Sequence, residues 1–321
     1  MGLLAAGLAA TLLAGCGGGD DDGDSPSSAS RPAPPASDFP VANGKPLQQV
    51  LSAATAEGPV VSPAARVLRE GKNRFSFGVF TVAREQIDDA EVAIYAAPGK
   101  LSGPAIGPFP ARIESLETEP SFQAKTTADD PDAAKVVYVA DVPLDKPGKW
   151  TFAALTKQGE GFGGSLVPTP SLVGQFDPPD AGDEAPSTDT DVASDNPDIA
   201  AIDTRVPPSS MHDENLADVL GEKPAVLLFA TPALCQSRIC GPVVDVAEQV
   251  KRDSGGDVAF IHQEIYRDND PNKGVRPPVA DFDLPSEPWL FVIDRSGRVS
   301  TAIEGAFSVE ELQAAVDRVS S

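Results

Sequence analysis

The chain has 321 residues, a size that suits two domains of about 150 residues each better than one. Lys and Arg number 25 against 48 Asp and Glu, a net charge of −23, and an acidic surface repels phosphates, so nucleic acid is a poor partner. Three Cys and two His exclude a disulfide-dense or multi-site metal protein, while 32 Pro and 28 Gly mark long stretches outside regular structure.

Residues 2–15 are apolar throughout, but they are too short to cross a hydrocarbon core of roughly 30 Å as a helix. Residues 1–15 therefore read as a signal peptide. The run ends in Leu13, Ala14, Gly15 and Cys16, which resembles the lipobox of bacterial lipoproteins. That resemblance implies a diacylated Cys16 at the head of the mature chain, anchored in the cell membrane on its extracytoplasmic face. No Lys or Arg precedes the apolar run, so the positive segment of a signal peptide is missing and the true start codon stays open. Residues 16–45, acidic and then rich in Ser, Pro and Ala, read as a disordered tether. With Cys16 lipidated, Cys235 and Cys240 are left as an even pair in an oxidising space.

Residues 46–170 carry short alternating runs at 73–80, 91–95, 135–140 and 149–153, broken by Pro and Gly. Period-two hydrophobicity between turns predicts an antiparallel β-sandwich. The turn at Pro147 and Gly148 leading into Trp150 resembles those of immunoglobulin-like domains, with Trp150 as the core plug. This block has no His, no Cys and no catalytic arrangement of carboxylates, which points to a spacer or docking module. Residues 171–205 follow; positions 176–204 hold nine acidic and no basic residues, the composition of a disordered acidic linker.

Residues 206–321 alternate helix and strand. A short helical pattern at 214–220 precedes a continuous apolar run at 225–230, as a buried parallel strand needs. A helix is expected at 242–251 with Pro242 in its first position. Strands follow at 258–265, 289–293 and 298–303, with a turn at 294–297. Ser308 and Glu311 have the spacing of a capping box for a last helix. The order is βαβ and then ββα.

That order, with residues 229–235, 258–264, 287–293 followed by Ser296 and Gly297, and 305–312, resembles the thioredoxin family over about 100 of the 321 residues. The whole is thus expected to be multidomain, an all-β immunoglobulin-like sandwich followed by an α/β thioredoxin-like domain. The resemblance implies that Cys235 attacks, that Cys240 resolves, and that Pro288 is cis and faces them, shaping a substrate groove with Glu287 and Trp289. The usual spacing of that family leaves two residues between the cysteines; here there are four. On a straight helix this puts the Cα atoms roughly 8.6 Å apart, beyond disulfide reach, so Cys235 must lie off the helix. The first strand also offers no Asp or Glu to take a proton from Cys240.

The activity implied is thiol–disulfide exchange on exported proteins, with a redox partner and neither cofactor nor metal. Three alternatives remain open: a scaffold lipoprotein stapled by a structural disulfide, a peroxiredoxin-type thiol peroxidase, and a copper carrier using both thiols and His262. Some atypical peroxiredoxins share the cysteine spacing, but Pro232 and Leu228 stand here where their Thr and Pro would be. His262 falls mid-strand and reads as a packed neutral histidine; His212 reads as exposed. Arg238 and the amino end of the following helix are the two available positive fields for Cys235.

Overall fold

The computed structural model describes residues 1–2, 28–235 and 237–320. Most of the signal segment, and Cys16 with its lipobox, lie outside the described residues. The part of the expected tether that is described, 28–45, is packed: Arg31 exchanges both backbone hydrogen bonds with Ile113, and Phe39 and Ala42 are buried.

The first block contains α1 (Leu47–Leu51), β1 (Ala56–Glu57), β2 (Val60–Pro63), β3 (Gly71–Phe80), β4 (Val92–Pro98), β5 (Ile106–Pro110) and β6 (Arg112–Ser115). It continues with α2 (Lys125–Ala128), β7 (Val136–Leu144), β8 (Trp150–Gln158) and β9 (Gly161–Val167). One sheet runs β1-β9-β8-β4-β5 and the other β2-β3-β7-β6. Alternate residues of each sheet, among them Phe75, Phe77, Ile94, Tyr138 and Phe152, meet in one core. Phe75 stacks on Phe152 at 5.0 Å and Phe77 on Tyr138 at 5.5 Å. Trp150 is fully buried here, its indole N–H donating to Lys146 O. It plugs the core as the sequence implied.

The second block contains α3 (Leu216–Val219), β10 (Ala225–Phe229), α4 (Cys240–Asp253), β11 (Ala259–Gln263), α5 (Pro277–Asp281), β12 (Trp289–Ile293), β13 (Val299–Glu304) and α6 (Val309–Asp317). Its sheet runs β11-β10-β12-β13; β10 is parallel to β11 and antiparallel to β12, which is antiparallel to β13. This is the βαβ–ββα order expected from the sequence. Val226, Leu228, Leu290 and Val292 face α4 and α6, while Leu227, Phe229 and Phe291 face α3 and α5. Among the described residues, no helix is long and apolar enough to cross a membrane.

The two blocks share a core. Leu116, Val137 and Val139 of the sandwich are buried in the same cluster as Val243, Val246 and Leu312 of α4 and α6. Strand β7 is therefore covered on both faces. Residues 171–205, expected to be a disordered linker, instead form an ordered coil laid first along the sandwich and then along the second block. The acidic groups find partners there: Asp177 pairs with Arg69, Glu184 with Arg298 and Asp191 with Arg276. Asp203 and Ile202 are each only 1% exposed. Composition counted the charges, but not the cations that the rest of the chain presents to them.

Candidate active site

Cys235 sits in the loop after β10 and Cys240 is the first residue of α4, so Cys235 is off the helix as disulfide geometry demands. The helix begins two residues earlier than expected, which puts Pro242 in its third position. The first four backbone N–H groups of a helix lack internal partners, so proline costs nothing there. Both cysteines are free thiols; Cys235 is partly exposed and Cys240 buried.

The Cys235 thiol is pushed down to about 6 from an ordinary value of 9.0. The Cys240 thiol donating to it is the largest cause; partial burial opposes, and the Ser237 hydroxyl with the N–H groups of Cys240 and Ile239 reinforce it. Ser237 Oγ stands 3.1 Å from Cys235 Sγ. The two N–H groups belong to the amino end of α4, where unpaired donors and the helix dipole favour an anion. Burial, with its hydrogen bond to Cys235 next, pushes Cys240 well above the thiol range. The Thr231 N–H works the other way, lowering the Cys240 thiol.

Arg238 is not a free cation beside the thiolate. Its guanidinium pairs with Asp132 and, at 3.4 Å, with Asp130, and its carbonyl accepts from Ala134 N–H. Those partners belong to the segment between β6 and β7, so the sandwich holds the cysteine loop in place. A Cβ at Gly241 would meet Thr127 Oγ1 at 2.8 Å, which shows how closely that segment approaches the start of α4.

The Glu287–Pro288 peptide is cis. Glu287 is half-buried, burial raises its carboxyl, and Tyr266 OH reaches Oε1 at 3.4 Å. Its charge acts on Cys240 and on Tyr266, which is itself pushed up to about 12, chiefly by burial. An acid thus lies near the resolving thiol on the loop before β12, where a search of the first strand misses it. Pro288 is buried, its carbonyl accepting from Gly305 N–H. The Trp289 side chain, 3% exposed and stacked on Phe291 at 5.6 Å, belongs to the core and does not line a groove.

His212 is buried, not exposed, and lies with His262 against Asp203. His262 is packed mid-strand as expected, but Ala230 O and Ser209 Oγ occupy its nitrogens, not the thiols. Sequence reading missed this cluster because residues 203, 212 and 262 come from separate segments.

No family model matches the chain, and no curated protein matches it. Among solved structures the chain is similar to a thiol:disulfide interchange protein of the thioredoxin family from Chlorobium tepidum TLS. The identity is 19%, with 45% of this chain and 98% of that one covered and a TM-score of 0.31.

Proposed function

We propose that the chain is a thiol–disulfide oxidoreductase anchored through a lipid on Cys16 at the extracytoplasmic face of the cell membrane, where it exchanges disulfides with exported proteins. The observation that carries this reading is the asymmetry of the pair: a partly exposed thiol pushed down to about 6 beside a buried one held protonated. A structural bridge has no need of that asymmetry. Exchange does, because the thiolate attacks and the second thiol must wait.

The Cys235 thiolate attacks a client disulfide, forming a mixed disulfide and expelling one client thiolate, which takes up a proton. Cys240 then loses its proton, attacks Cys235 Sγ, and releases the second client thiolate; the client is reduced and the pair oxidised. The reverse sequence oxidises a dithiol client. Glu287 is the acceptor we assign to the Cys240 proton, since its charge acts on that thiol and burial raises its carboxyl above the ordinary value. Pro288 we read as shaping the substrate groove beside the pair. The first block we read as an immunoglobulin-like sandwich that positions the cysteine loop through Arg238.

Trapping tests the reading. In the native envelope, Cys240→Ser is expected to accumulate mixed disulfides with exported proteins that dithiothreitol releases, and Cys235→Ser/Cys240→Ser to accumulate none. A pair potential below about −300 mV with no trapped adduct would mean a structural staple instead.

A further inference from the structure

Asp203, His212 and His262 converge in the interior where the ordered acidic segment meets β11. Their donor atoms all lie within 4.8 Å of one another, and the three residues are at most 2% exposed. Asp203 Oδ2 is 3.0 Å from His212 Nε2 and 3.4 Å from His262 Nδ1. The outward nitrogens face backbone carbonyls: His262 Nε2 lies 3.1 Å from Ala230 O, and His212 Nδ1 lies 3.4 Å from Asp191 O. A carbonyl only accepts, so in the tautomers that use these contacts the outward nitrogens carry the hydrogens. Each ring then aims a lone pair inward at Asp203 Oδ2, which accepts from Ser209 N–H at 2.6 Å, while Ser209 Oγ lies 3.2 Å from His262 Nδ1. A cation at the centre would gather the three inward lone pairs that these two donors only partly satisfy.

Charge points the same way. Asp203 and Glu264 are both buried, and among the described residues neither forms an ion pair with Lys or Arg. Glu264 Oε2, two residues along from His262, has no hydrogen-bond partner. Two protons would place two imidazoliums with ring centroids 5.3 Å apart in a dry interior. One divalent ion offsets both carboxylates without that repulsion. Bonds of about 2.0–2.1 Å to a tetrahedral ion separate its ligands by about 3.3 Å, which the 3.0 and 3.4 Å edges bracket. The outward N–H bonds to carbonyls are what orients a metal-ligating imidazole.

We propose that Asp203, His212 and His262 bind one divalent transition-metal ion of the zinc class, with Ser209 Oγ, 3.2 Å from His262 Nδ1, nearest the fourth position. The ion pins the 203–212 segment to β11. It also lies one peptide unit from the redox pair: Ala230 C=O is 3.1 Å from His262 Nε2, and the N–H of the same unit, on Thr231, acts to lower the Cys240 thiol. The site is separate from the cysteines and does not depend on their being catalytic.

The test is metal content and cobalt titration of the full chain. After removal of metal with a chelator, Co²⁺ is expected to bind at about one per chain with a tetrahedral visible spectrum, and Zn²⁺ to displace it and raise the melting temperature. Cys235→Ser/Cys240→Ser is expected to keep this stoichiometry; Asp203→Asn and His212→Ala are expected to lose it. Binding lost with the cysteines but kept without His212 would place the metal on the thiols and overturn the proposal. A folded wild-type chain that binds neither ion, with no thermal shift, would show a cluster held by hydrogen bonds alone and overturn it equally.

Discussion

Cys235 is activated by its own neighbours: a thiol, a hydroxyl and two backbone N–H groups. Its alkylation by iodoacetamide is therefore expected to be half-maximal near pH 6 and level by neutral pH. Removing the largest contributor, as in Cys240→Ala, is expected to move the midpoint up toward the ordinary thiol value. Arg238→Ala is expected to leave it in place, because Asp130 and Asp132 already neutralise that cation. A wild-type midpoint near 9 would contradict this assignment. The same shift carries a sign for stability. The thiol's folded value lies below its unfolded one, so the reduced chain gains stability as pH rises from about 6 and loses it as pH falls through that value. At this scale the sequence was informative where chemistry is contiguous. Cys235, Cys240 and the proline at 288 stand in short readable runs, whereas Asp203, His212 and Glu287 acquire meaning only from neighbours distant along the chain.

Helix α6 shows how much of an element can be read and where the reading stops. Ser308 Oγ accepts from Glu311 N–H at 3.1 Å, the first half of the expected capping box. The reciprocal half is absent, since the Glu311 carboxylate is bound by Arg74 of β3 at 2.7 Å and Arg112 of β6 at 2.7 Å. Ser308 Oγ in turn donates to Glu114 Oε2. Removing the cap, as in Ser308→Ala, costs about 1 kcal/mol. Glu311→Ala leaves Arg112 with Glu114 and Arg74 with the Ala306 carbonyl but breaks two partly buried charged hydrogen bonds, a loss of about 1.5–3 kcal/mol, so the tie between blocks outweighs the cap. Urea unfolding of both variants is expected to rank them in that order; equal losses would mean the arginines find water instead. Burial alone would raise the Glu311 carboxyl, but Arg74 and Arg112 hold it below its ordinary value. Its contribution is therefore present at neutral pH and lost as pH falls through that lowered value. Periodicity located α6 because its own buried residues set the pattern; partners on another sheet leave no local trace.

Strand β7 decides how the whole molecule holds together. Its residues 136–140 are apolar without a break, and all are buried. An alternating strand needs cover on one face; a continuous one needs it on both. Tyr138 and Ala140 face the sandwich core, while Val137 and Val139 lie under α4 and α6. The acidic segment 176–204 was illegible for the opposite reason. Its composition describes a chain that cannot build a core, but this one borrows the core and the cations of its neighbours. Burying Val137, Val139 and Leu116 is worth about 1.5–3 kcal/mol each, which together is comparable to the 5–15 kcal/mol stability of an ordinary domain. Neither block can then unfold without exposing part of the other's core. The two tryptophans report on this separately, Trp150 from the sandwich and Trp289 from the second sheet. With Trp289→Phe and Trp150→Phe each leaving one reporter, fluorescence-monitored urea unfolding is expected to give midpoints that agree once each variant's own stability change is subtracted. A chain of independent domains on a flexible linker would give two midpoints, and the shared core would then contribute nothing to cooperativity.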